Sequence, residues 1–508
     1  MPKFLALVSL AILPVSLSAQ IPTACLNLPA PTPQYRASID AANHILEAAI
    51  KRDALDLDHI RKTTQKSAKQ HPDDPFLLGA LGNLQFRTGD LEASIAATNR
   101  SIQLFPCIAY VQFTAAKYYA LIGDTAAAQQ HLDFAYALNP NVPEIADEWR
   151  NTHTTQRQAR TANSQQLQRH PATLATPNGV EPFGDPPDQL LLPPATEKMV
   201  IDLHKAGPPS LGSFGSSHRS TITLMVNGKP MVLLLTFGDA GLDLTAAAAE
   251  RAGISGIPVP RGKPRTVSVP SRTTSYSSPI TGVSGINNSS MPVGRPISRA
   301  AYTVTISPSA AFRSTAAVQL GDIQSANVPI TVTSRPENIR DAPADWTDGS
   351  IGLYAFSRSL ITLDIWNGVL TLAPLPGVPP TVSTASSDQR WTHFYLVPHG
   401  HQILVPVDIG SGSLRLFQLS IAASNSSVAP DTASHSPDYH GFTGFDGNYA
   451  INDIRVKIGS KVLAFAPSIR VEPRFPILGM GIYGTLARDA LHGANLTFDY
   501  RDHLMQAH

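Results

Sequence analysis

The chain has 508 residues, enough for roughly two to four domains with buried cores. It carries 39 basic against 38 acidic residues, a formal net charge of +1. That balance leaves no electrostatic footprint for nucleic acid or an anionic membrane surface, so neither is expected as a partner.

The first residues read MPKFLALVSLAILPVSLSAQ: a lysine, an apolar run, then small residues. This pattern predicts a secretory signal over 1–19, with cleavage near Ala19. It is too short for a stable membrane span, and no later run is long and apolar enough for one. The mature protein is therefore expected to be exported, periplasmic or extracellular, without a span. Cys25 and Cys107 are the two cysteines. An oxidising compartment permits a disulfide between them, and two unpaired small hydrophobes are the other reading.

Residues 37–149 read as paired helices. Gly89-Asp90 and Gly123-Asp124 lie 34 residues apart, as do Pro106 and Pro140. Leu81, Leu84 and Phe86 precede the first turn, and Ala115, Tyr118 and Ala120 hold the same places before the second. A weaker unit ends at Pro72. This period, with Gly-Asp at the turn and Pro closing the second helix, resembles tetratricopeptide repeats. The resemblance implies a small solenoid that binds peptides or partner proteins, or else a spacer. Residues 150–195 are polar, then Pro-rich, and read as a linker.

From residue 196 the pattern changes to short alternating strands broken by Gly, Pro, Asn and Ser, with one short Ala-rich helix at Thr245–Ala252. Asn227-Gly228 between two apolar runs predicts a hairpin. The region then repeats itself. An apolar strand runs into a small-residue turn in NGKPMVLLLTFGDAGLDLTAAAAERAGI and again in HQILVPVDIGSGSLRLFQLSIAASNSSVAP. Each is followed by a Gly-centred hairpin, and then by GSIGLYAFSRSLITLDIWNGVLTL or ILGMGIYGTLARDALHGANLTFDYRDHLM. The order predicts two homologous β units, 196–376 and 393–508, joined by a Pro-rich linker at 377–392.

Each unit resembles one lobe of the retropepsin-like aspartic peptidases. The fold expected for the whole chain is an all-α helical-repeat domain followed by an all-β, two-lobed aspartic-peptidase-like domain. In that family two carboxylates share one proton, one acting as base toward water and the other as acid toward the peptide carbonyl. Laid on the family's Asp-Thr-Gly without gaps, the first copy reads Thr236-Phe237-Gly238, followed by Asp239. The second copy reads Ser420-Ile421-Ala422. Both carboxylates are replaced by hydroxyls that do not ionise near neutral pH, and both bracing hydroxyls are replaced by apolar side chains. Thr236, Phe237, Gly238, Asp239, Ser420, Ile421 and Ala422 would line a pseudo-active cleft suited to a peptide or protein ligand.

Asp239-Ala240-Gly241 also resembles an Asp-X-Gly triplet displaced by three residues. An active aspartic endopeptidase using Asp239, or another carboxylate, is therefore the alternative; as a plain turn residue, Asp239 would accept backbone N–H bonds. A structural envelope protein without a ligand is the third reading. No Gly-x-Ser-x-Gly elbow, Walker loop or His-Glu-x-x-His occurs. His399 and His401, near His393, read as surface or edge-strand residues, so no metal or cofactor is expected. Asn287, Asn288, Asn425 and Asn495 have glycosylation-acceptor spacing, a triplet common by chance.

Overall fold

In the computed structural model, the described residues of the helical part are Cys25, 33–51 and 54–153. Those of the β part are 192–206, 219–238, 241–255, 257–258, 265–269, 272–274, 297–299, 302–306, 310–333, 347–378, 380, 391–397, 402–410, 414–421, 423, 425–429, 448–450, 454–465, 468–470 and 480–508. The expected signal segment, most of both linkers, Asp239, Ala422, Asn287, Asn288, His399 and His401 lie outside them.

The helical part runs α1 (Pro33–Lys51), α2 (Ala54–Gln70), α3 (Pro75–Arg87), α4 (Leu91–Leu104), α5 (Ala109–Leu121), α6 (Thr125–Leu138) and α7 (143–153). It begins before residue 37 and ends after residue 149, since α1 starts at Pro33 and α7 runs to 153. The Gly-Asp turns have a clear local cause. Gly89 and Gly123 adopt φ of 81° and 73°, closing α3 and α5 in a conformation that disfavours a Cβ. Asp90 and Asp124 then cap α4 and α6 by accepting the N–H of Ala93 at 3.4 Å and of Ala127 at 3.0 Å. Cys25 and Cys107 are joined as a disulfide, which ties the segment before α1 to the connection between α4 and α5.

The first β unit contains β1 (Met199–Asp202), β2 (Arg219–Val226), β3 (Lys229–Thr236), β4 (Leu242–Thr245), β5 (Ala310–Leu320), β6 (Ile323–Thr333), β7 (Gly349–Gly352), β8 (Leu360–Asp364) and β9 (Val369–Ala373). The Asn227-Gly228 hairpin joins β2 to β3, with both residues at positive φ. The second unit contains β10 (Thr392–His393), β11 (Tyr395–Leu396), β12 (Ile403–Asp408), β13 (Leu414–Leu419), β14 (Ser427–Val428), β15 (Ile454–Ile458), β16 (Lys461–Phe465), β17 (Ser468–Arg470), β18 (Gly484–Leu486), β19 (Asn495–Asp499) and β20 (Leu504–Ala507). A short helix at Arg488–Leu491 was not expected from the sequence.

The pairing order is the same in both units. In the first it runs β2-β3-β7-β4-β6-β5, and β5 returns to β2, so the sheet closes on itself like a barrel. In the second it runs β12-β13-β18-β14-β17, and β15 pairs β12. A third sheet joins the units in the order β1-β9-β8-β19-β20-β10. Its midline is the antiparallel pair β8–β19, with Ile361 opposite Phe498 and Leu363 opposite Leu496. Each unit therefore donates a hairpin and its own leading strand. One apolar core runs through both units and includes Leu363, Leu370, Phe394, Leu496 and Phe498.

The helical part packs against the second β unit through its turns. Phe86, Leu91, Tyr118 and Leu121 share a buried cluster with Tyr395, Leu404, Leu416 and Met480. A Cβ on Gly89 would lie 3.2 Å from Leu416, and one on Gly123 would lie 2.9 Å from the His503 ring. Gly481 N–H donates to the Arg87 carbonyl at 2.9 Å, and the Tyr395 hydroxyl donates to Glu92 at 3.0 Å. Arg415, on β13 and 5% exposed, donates to the Thr88 carbonyl at 3.2 Å. Its guanidinium also covers the Tyr483 ring at 4.6 Å. Burial raises the Asp90 carboxyl pKa, opposed by the Ala93 N–H and by the charges of Arg61 and Arg415.

Arg415→Met is expected to cost about 2–3 kcal/mol, because it strands a buried carbonyl and weakens compensation of Asp90. Urea unfolding and amide exchange in α3 to α5 would show it. Arg415→Lys should recover little, since a lysine cannot reproduce the stacked, forked contact. Unchanged exchange in these helices would remove Arg415 from the seam.

Candidate functional site

The two turns predicted to carry the site stand at equivalent places. In the first unit β3 runs parallel to β7, with Leu235 opposite Ile351 and Thr236 opposite Gly352, while β4 flanks β7 on its other side, antiparallel. In the second, β13 runs parallel to β18, with Leu419 opposite Leu486, and β14 flanks β18 antiparallel. Ser420 N–H extends the second ladder by donating to the Leu486 carbonyl at 2.9 Å. Thr236 thus ends β3 and Ser420 immediately follows β13, each at the tip of a strand wedged among neighbours.

The side chains just past these tips point inward. Phe237 is 3% exposed and Ile421 is 1% exposed, and both belong to the core shared by the two units. The Phe237 ring lies 5.9 Å from that of Phe498 in the joining sheet. Apolar residues therefore follow both strand tips and fill the interior shared by the two units. Thr236, Gly238 and Ser420 are half-buried. The Ser420 Oγ accepts the Ala423 N–H at 3.2 Å, closing its own turn.

Sequence reasoning missed one carboxylate near the second turn. Asp489 accepts the Ser426 N–H at 2.9 Å and the Ser426 hydroxyl, and the Ser426 Oγ accepts the Ala487 N–H at 2.8 Å. This network ties the short helix after β18 to the loop before β14. It had no sequence signal, because the short helix that carries Asp489 in its first turn was not expected from the sequence. Ser426 is fully buried and its hydroxyl is occupied by Asp489, so the pair braces the loop instead of meeting a substrate. Among the described residues no three His, Cys, Asp or Glu side chains gather as metal ligands.

No protein-family model matches this sequence, and no curated protein matches it. Among solved structures, an aspartic proteinase matches this chain. That solved structure, from Irpex lacteus, aligns over 61% of this chain and 96% of its own, with 11% identity and a TM-score of 0.36. The described residues of this chain form a helical N-terminal region followed by barrel-like sheets.

Proposed function

We propose that this chain is an exported, non-catalytic relative of the aspartic peptidases, whose tetratricopeptide-like helices and paired β lobes bind a peptide or protein. The observation that carries it is at the strand tips. Thr236 and Ser420 stand where the resemblance expects carboxylates, and buried Phe237 and Ile421 follow them. A hydroxyl that stays protonated cannot take a proton from water, and a single remaining acid cannot form the proton-sharing pair. Export is supported by the apolar N-terminal run and by the Cys25–Cys107 pairing. No helix among the described residues is long and apolar enough to cross a membrane.

The purified protein is expected to leave unfolded substrate proteins uncut from about pH 3 to about pH 8, the range over which a carboxylate pair would pass through its active form. Pepstatin-sensitive cleavage would overturn the proposal. Should cleavage occur, Asp239→Asn separates the alternatives: loss of activity assigns it to Asp239, and retention to another carboxylate.

A further inference from the structure

A cleft of about 490 Å³ opens between the two β lobes, and neither Thr236, Phe237, Ser420 nor Ile421 lines it. Tyr354 and Arg358 come from the first lobe, on and just after a 3-10 turn (Leu353–Phe356), and Leu375 follows β9. Tyr500 and His503 come from the turn between β19 and β20 of the second lobe. The volume lies within the range of small-molecule sites. The walls are largely apolar, with the Tyr354 and Tyr500 rings edge-on at 5.6 Å.

Two polar groups of the residues lining this cleft have no partner among the described residues. The neighbouring Arg501 is occupied, donating to Asp499 at 2.6 Å and to the Pro376 carbonyl at 2.8 Å. Arg358, by contrast, is exposed at the rim and has no acidic or acceptor partner among the described residues. The Tyr500 hydroxyl is buried with no hydrogen-bond partner among the described residues. Burial raises its phenol pKa, with the Tyr354 phenol adding to the shift, so it stays a proton donor at neutral pH.

We propose that this cleft binds a small carboxylate carried on a compact apolar body. The carboxylate pairs with Arg358, which offers a forked, always-charged donor, and the body packs on Tyr354, Leu375 and Tyr500. The site stands apart from the peptidase question, because occupancy and cleavage are read by different assays.

The test is a ligand-observed NMR titration of the full purified chain with 3-phenylpropionate, its neutral analogue 3-phenylpropanol, and acetate. The acid should saturate with a Kd of about 1 mM or tighter, with the alcohol and acetate each about tenfold weaker. Arg358→Gln, at an exposed position, should weaken the acid about tenfold and leave the alcohol unchanged. Equal binding of acid and alcohol, an unaffected Arg358→Gln variant, or no saturation by about 10 mM would overturn the assignment. N-acetylphenylalanine distinguishes the source: tighter binding than 3-phenylpropionate means a peptide C-terminus, and weaker binding means a free acid.

Discussion

Alanine at Gly349 will destabilise the first β lobe by about 3–5 kcal/mol, and alanine at Gly484 will do the same to the second by about 2–4 kcal/mol. The two glycines occupy matching places, each starting the strand wedged between a parallel and an antiparallel neighbour. A Cβ on Gly349 would lie 1.8 Å from the Asp243 carbonyl oxygen. One on Gly484 would lie 2.4 Å from the Ser427 carbonyl oxygen and 2.4 Å from the Phe417 ring. The carbonyls are backbone atoms of β4 and β14, so relief requires moving a strand. The ring of Phe417 can yield a little, which makes the second cost smaller. Urea unfolding of each variant, with tryptophan fluorescence and far-ultraviolet circular dichroism, measures both effects. Midpoints equal to the parent's would mean that the strands do not pack as closely as described.

Replacing Cys25 and Cys107 together by serine should cost about 4.5 kcal/mol in the chain-entropy picture, because the bridge closes a loop across a sequence separation of 82. Four helices, α1 to α4, lie inside that loop. The loss should appear as a lower urea midpoint, matched by the parent protein under reducing conditions. A double variant as stable as the oxidised parent would show that α1 and α2 are held by apolar contacts alone. Those contacts exist: Ala42 and Phe76 share a buried cluster with Ile108 and Val111. The bridge therefore adds to packing already present.

Much of the fold was legible because it is written in local patterns. The spacing of Gly89 and Gly123 marks two turns, since a positive φ selects glycine whatever surrounds it. The following aspartates announce helix starts for an equally local reason, the need to cap free N–H groups. Apolar runs in β3 and β13, each ending in a small-residue turn, placed the two turns in register. What the pattern could not reveal was the partner of each surface. Gly123 is a turn residue by sequence, but its contact with His503 of the second lobe requires the folded chain. The joining sheet depends on Ile361 meeting Phe498, a pairing between segments that carry no mutual signal. The Ser426–Asp489 network escaped notice for the same reason.

The sequence by itself determined that each of the two small-residue turns carries a hydroxyl residue, Thr236 or Ser420, followed by apolar Phe237 or Ile421. It also determined the helical and β segments, because periodicity and turn chemistry are properties of neighbouring residues. Only the tertiary structure decided that Phe237 and Ile421 fill a shared core, that the cysteines are paired, and that the helices lean on the second lobe through Arg415. It also decided that a cleft lined by Tyr354 and Tyr500 opens between the lobes. Those outcomes depend on which distant surfaces exclude water together, and burial is a property of the assembled chain.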